Sequence, residues 1–124
     1  MRRTATAAQV NNGRALARLH VTRPMRYIAV LRALPDRRGP GYGLWMLHLH
    51  TRRHLNLIAY GDGDHSRTLP DDNQQATREV VRALVRRGYA QQIEWRGMKG
   101  YRITPAGRWL EELLSAARDD CRER

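Results

Sequence analysis

Residues 74–102 carry side chains suited to gripping a nucleic acid. Gln74, Gln75, Arg78, Arg82 and Arg86 gather on the polar side of one helical repeat, with Gln75, Arg82 and Arg86 at i, i+7 and i+11. Arg96, Lys99 and Arg102 follow within a short extended stretch. A glutamine amide can both give and take a hydrogen bond on the adenine edge, and an arginine fork can grip guanine or a phosphate. On that chemistry Gln74 and Gln75 read bases, Arg78 and Arg82 reach bases or phosphates, and Arg86 reaches a phosphate. Arg96, Lys99 and Arg102 belong on the sugar-phosphate backbone or in the minor groove. Glu79 sits among these cations, where it either orients Arg82 or Arg86 or repels a polyanion. The same pattern also describes the solvated face of an ordinary amphipathic helix. The basic hairpin behind it weighs against that.

The elements that must hold these residues are legible from residue 72 onward. Val81, Leu84 and Val85, with Val80 and Thr77 beside them, form the apolar stripe of a helix over about 72–87. Asp71 or Asp72 is placed to cap its start, and Gly88 to end it in the left-handed conformation. A β-hairpin is predicted over about 89–103. Ile93 and Trp95 alternate with Glu94 and Arg96, residues 97–100 make the turn, and Tyr101 and Ile103 return on one side. Thr104 followed by Pro105 is a helix start, a hydroxyl cap and then proline at the first helical position. Trp109, Leu110, Leu113 and Leu114 are the apolar face of that helix, over about 105–118, and residues 119–124 form a charged tail.

The stretches VVRALVRRGYA, IEWRGMKGYRIT and TPAGRWLEEL occur in that order, as helix, basic two-stranded wing and helix. In this the segment resembles the winged helix-turn-helix of the MarR-type and PadR-type bacterial regulators. The resemblance covers about the last two-fifths of the chain well and residues 42–71 loosely. It implies a mainly α fold with a small β-hairpin (α+β), a winged helix-turn-helix with extra N-terminal and C-terminal helices. It also implies a homodimer on a roughly palindromic duplex site. Helix 72–87 would read the major groove, and the 96–102 wing the backbone or minor groove. The N-terminal helices and the 105–118 helix are the expected dimer contacts.

Upstream, residues 1–22 are a basic arm expected to be mobile, with a short amphipathic turn at 13–20 carrying Leu16 and Leu19. A single winged-helix domain is expected over 23–118. Pro24 opens a helix over 25–34 that buries Tyr27, Ile28, Leu31 and Leu34 or Val30. Pro35, Asp36 and the Gly39-Pro40-Gly41 run stop it. Residues 42–60 admit two readings. As helices, LWMLHLHTRR and HLNLIAYG are the first two helices of the motif, Asn56 caps the second, and Ala59 marks their close crossing. As a hairpin, Trp45, Leu47 and Leu49 face Leu55, Leu57 and Ala59 around Thr51-Arg52-Arg53. The helical reading is preferred. Residues 61–72 form a long polar loop where the family has a tight turn.

At 124 residues the chain has room for one core and one domain. Its formal net charge of +11 attracts polyanions, nucleic acid first and an anionic protein surface second. Residues 1–103 hold nineteen basic and seven acidic side chains, so the charge belongs to the body and the N-terminus. A GC-rich coding sequence would produce the same arginine bias. The single Cys121 excludes an internal disulfide and suits a reducing cytosol. No apolar run is long enough to span a bilayer, so no membrane partner is implied. The first 35 residues hold seven arginines and no acid, as a transit peptide would, but the arginine excess continues through the chain. Cytoplasmic location is the expectation.

Parts of the chain are compatible with three other chemistries. His50 and His54 stand one helical turn apart, a spacing that can hold zinc or nickel, but no cysteine or carboxylate lies nearby to complete a set. The Asp62/Asp64/His65 group is explained as well by a polar turn. A small basic nuclease would need two acid–base groups at a fixed separation, and no nucleophile motif or phosphate loop appears. No metal, cofactor or catalytic residue is therefore expected. A winged helix from a phage or mobile element that binds a host protein complex would share this charge and these elements. The preferred expectation is a transcription regulator, a repressor that occludes a promoter.

Overall fold

The computed structural model describes residues 24–36, 39–61 and 73–122. The basic arm, its 13–20 turn and the 62–72 loop lie outside the described residues. Among the described residues the fold is mainly helical with one antiparallel hairpin, an α+β arrangement. In order it forms α1 (Pro24–Ala33), α2 (Leu44–Tyr60), α3 (Gln74–Arg86), β1 (Ala90–Trp95), β2 (Met98–Ile103) and α4 (Pro105–Arg122).

α1 begins on Pro24 as its fixed φ favours. It is enclosed on nearly every side. Residues 26–31 are buried without a break, and Ala33 and Leu34 follow them. The expected stripe is therefore too narrow, because α2, α3 and α4 all pack around α1. Leu47, Leu55 and Ile58 of α2, Val80, Val81 and Leu84 of α3, and Leu110 and Leu114 of α4 complete one core around it. Each such side chain contributes roughly 1.5–3 kcal/mol when fully buried.

α2 upholds the helical reading of residues 42–60 over the hairpin but not its division into two helices. It is one helix of 17 residues, not two and not a hairpin. No glycine or proline lies between Leu44 and Tyr60, so nothing breaks the repeat at Thr51-Arg52-Arg53. Thr51 is itself buried, and its hydroxyl donates to the Leu47 carbonyl at 2.7 Å. Asn56 is no cap but a buried residue inside the helix, and Ala59 is exposed rather than wedged in a crossing. The helix closes at Gly61 (φ 76), whose N–H donates to the Leu57 carbonyl.

The C-terminal boundary also moves. α4 runs to Arg122 and takes in most of the expected tail. An ion pair of 2.9 Å between Arg32 and Glu111 ties α1 to α4, and Ser115 bonds to both partners. His54 of α2 faces this junction. Burial, then the charges of Arg32, Arg53 and His50, hold its pKa below 6.5, and Glu111 opposes them. The unfolded chain therefore binds a proton at a higher pH than the folded one does. Stability is fully present above about pH 6.5 and is lost as pH falls toward the depressed folded pKa. In denaturant titrations from pH 7.5 down to 5, His54→Gln should flatten this decline. An equally steep decline in the variant would exclude His54 as its source.

Candidate nucleic-acid interface

α3 is set by its ends. Asn73, and neither aspartate before it, is the N-cap; its Oδ1 accepts from the Ala76 N–H at 2.8 Å. Asparagine caps as well as aspartate, and the helix starts two residues later than expected. At the other end Gly88 adopts φ 80. The Gly88 N–H donates to the Val85 carbonyl at 3.2 Å and the Tyr89 N–H to the Leu84 carbonyl at 2.9 Å, a Schellman closure. Ala76, Thr77, Val80, Val81, Ala83 and Leu84 then face the core. Gln75, Glu79, Arg82 and Arg86 are left exposed on the far side.

The junction after α3 fixes the hairpin to it. The Thr104 hydroxyl donates to the Gly88 carbonyl at 2.7 Å and accepts from the Gly107 N–H at 3.1 Å, the expected cap of α4. The Thr104 N–H donates to the Tyr89 carbonyl at 3.2 Å. The end of α3, the base of the hairpin and the start of α4 thus share one set of backbone atoms.

The hairpin turns at Arg96-Gly97, not at 97–100. Trp95 pairs with Met98, and Arg96 (φ 51) and Gly97 (φ 81) are both left-handed, the two-residue turn that matches strand twist. Lys99 consequently sits in β2 opposite Glu94. The register pairs Gln92 with Tyr101 and Ala90 with Ile103 on the face turned to α3 and the core. Gln91 pairs with Arg102 on the opposite face, where the Arg102 guanidinium donates twice to Gln91 Oε1, at 3.3 and 3.2 Å. On the free edge of β2, Tyr42 and Tyr101 exchange backbone hydrogen bonds of 2.9 and 2.8 Å. That isolated bridge was not expected. It requires Gly41 beside Gly100, since a Cβ on either would come within 3 Å of the other's backbone.

Between the outer face of α3 and the hairpin lies an open depression of ≈ 800 Å³ lined by Gln75, Glu79, Arg82, Val85, Arg86, Gln92 and Tyr101. Three of the eight expected contact residues, Gln75, Arg82 and Arg86, are brought together there. Gln74 and Arg78 are half-buried on α3 outside this lining, and Arg96 and Lys99 are exposed toward the hairpin tip. The Arg96 guanidinium stands 5.7 Å over the Trp95 ring. Arg102, tied to Gln91, faces away. Gln92 and Tyr101 were missed. Placing the turn at Arg96-Gly97 would have found them, because that register alone puts them side by side toward α3.

Behind α3 lies a buried polar link. Arg26 Nη1 donates to Thr77 Oγ1 at 3.2 Å, and the same oxygen lies 2.9 Å from His48 Nδ1. All three side chains are buried, so α1, α2 and α3 are joined through one hydroxyl. The histidines of α2 are thereby separated in role. His48 meets Thr77, His50 stacks on Tyr42 with ring centroids 4.8 Å apart, and His54 faces the α1–α4 junction. Among the described residues no group of three or more metal-binding side chains is placed to hold an ion. No described helix is long and apolar enough to cross a membrane.

No protein-family model, curated protein or solved structure matches this chain.

Proposed function

We propose that this protein is a winged-helix regulator of transcription that binds double-stranded DNA at chosen sequences and represses by occupying a promoter as a homodimer. The carrying observation is the depression, which sets Gln75, Arg82 and Arg86 of α3 against Gln92 and Tyr101 of a hairpin with basic residues at its tip. An α-helix of about 10–12 Å diameter fills the major groove, which is about 12 Å wide. With α3 there, the adjacent sugar-phosphate strand runs through the depression. Arg82 and Arg86 meet its phosphates, the Tyr101 hydroxyl and Gln92 amide hydrogen-bond to it, and Arg96 and Lys99 reach the flanking groove. The order of three helices, hairpin and helix, with an isolated bridge from Tyr42 to the hairpin, supports the same reading.

The test is duplex binding across a salt series of about 50–200 mM, with random and selected sequences. Arg82→Ala should weaken binding at least tenfold on all sequences, a loss of about 1–3 kcal/mol, and reduce the salt slope by about one. Unchanged affinity in that variant removes α3 from the interface.

A second reading has its own observation. Trp45 is 61% exposed and Met98 73% exposed, apolar surface that a DNA-binding face does not require. A protein that docks on an anionic partner through these residues would lose that partner in Trp45→Ala or Met98→Ala and be indifferent to Arg82→Ala.

A further inference from the structure

We propose that the outer face of α2 is a separate docking surface. Its partner is an amphipathic helix of another protein, with a carboxylate at the middle of its apolar stripe. The inference does not rest on the DNA-binding reading, because no residue of this face lines the depression beside α3. A helix with one side sunk in the core ordinarily turns polar residues to solvent on the other. α2 buries Leu47, Thr51, Leu55 and Ile58, yet its outward side is apolar as well. Met46, Leu57 and Tyr60 are 49%, 40% and 46% exposed, and Leu49 is half-buried. At about 100° and 1.5 Å per residue, Met46, Leu49, Arg53, Leu57 and Tyr60 share an arc of about 80° and run about 21 Å along the helix. They form one seam, narrow enough for a single partner helix to cover. At its N-terminal end Met46, Leu49, His50, Arg52 and Arg53 line an open groove of ≈ 400 Å³, where an apolar side chain of the partner can seat.

Charge decides the partner. Arg53 is exposed and stands at the middle of the seam, seven residues from Met46 and seven from Tyr60. Residues 44–60 contain no aspartate or glutamate. A second copy centred on this seam by a two-fold axis, parallel or antiparallel, sets Arg53 against itself, and like charges facing across an interface are strongly disfavoured. A lipid surface fits no better. Helices that lie on membranes keep their arginines on the polar face, not in the middle of the apolar one. A carboxylate opposite Arg53 instead meets a planar fork of donors that matches it. Apolar residues on either side of that carboxylate then cover Met46, Leu49 and Leu57.

The test begins with helical peptides of about fifteen residues, the length of the seam, selected from a random display library on the full chain. Selected peptides should carry apolar residues at helical spacing with an aspartate or glutamate between them. One such peptide is then synthesised and titrated against variants whose folding is checked by thermal melting. Met46→Ser and Leu57→Ser should each weaken binding by about tenfold. Arg53→Glu should lose that peptide and accept its counterpart with lysine in place of the acid. Arg87→Glu makes the same charge change at an exposed position outside this face and should bind as the parent does. The inference is overturned if no selected peptide depends on Met46 and Leu57, or if Arg53→Glu binds the acidic peptide as tightly as the parent. It is also overturned if Met46→Ser and Leu57→Ser abolish self-association in sedimentation, or binding to anionic phospholipid vesicles, and leave peptide binding intact. The face then belongs to a second copy or to a membrane. None of these outcomes bears on duplex binding through Arg82, which fails or stands on its own salt series.

Discussion

Gly107→Ala is expected to destabilise the protein by about 2–3 kcal/mol, because crowding outweighs the gain in helix propensity. Alanine inside a helix is worth about 1 kcal/mol over glycine, so an open site would gain stability from the change. Gly107 is not an open site. A Cβ there would overlap the Tyr89 carbonyl oxygen and stand 2.7 Å from Ile103 Cγ1. The carbonyl is backbone, held by the Thr104 N–H, and cannot swing aside. α4 must lift or the hairpin base must shift, and the melting temperature should fall by roughly 10 °C. Since Tyr89 joins α3 to β1, the shift also opens the depression. Equal or higher thermal stability in Gly107→Ala would show that α4 is not seated on Tyr89 as described.

The second large effect comes from Thr77. Replacing it with valine keeps the shape and removes the hydroxyl that serves both Arg26 and His48. Arg26 is 2% exposed, so the lost acceptor is not replaced by water. The cost of taking a hydrogen-bond partner from a buried polar group is about 1–3 kcal/mol, with charged groups at the upper end. Thr77→Ser retains the oxygen and should recover most of that loss. Urea titrations with unchanged slope would assign the difference to the folded state. A Thr77→Val protein as stable as the parent would mean the link contributes nothing. Thr77 also connects α3 to both helices behind it, so this variant should loosen the helix that carries Arg82 without altering a single exposed residue.

α3 and α4 were legible because their signals are local. Val80, Val81 and Leu84 repeat at helical spacing, Gly88 ends one helix, and Thr104-Pro105 begins the next. The hairpin was legible as an element but not in register. The four residues 97–100, with a glycine at each end, offered a turn, and only the pairing of Trp95 with Met98 chose Arg96-Gly97. That shift of the turn decides which residues stand opposite one another. It pairs Gln92 with Tyr101 in the depression, while Arg102 lies on the other face in either register.

Local signals specify a basic α+β chain, the polar face of α3 with Gln75, Arg82 and Arg86, and the hairpin and capped helix behind it. Charge, helical period and capping chemistry act over a few residues, and one sequence displays them. Distant contacts set the single long α2, the bridge at Tyr42, the burial of Arg26 beside Thr77 and His48, and which face of the hairpin meets α3. Each depends on a partner far along the chain. Arg26 meets Thr77 across fifty-one positions, and Tyr42 meets Tyr101 through two backbone hydrogen bonds that no side chain announces.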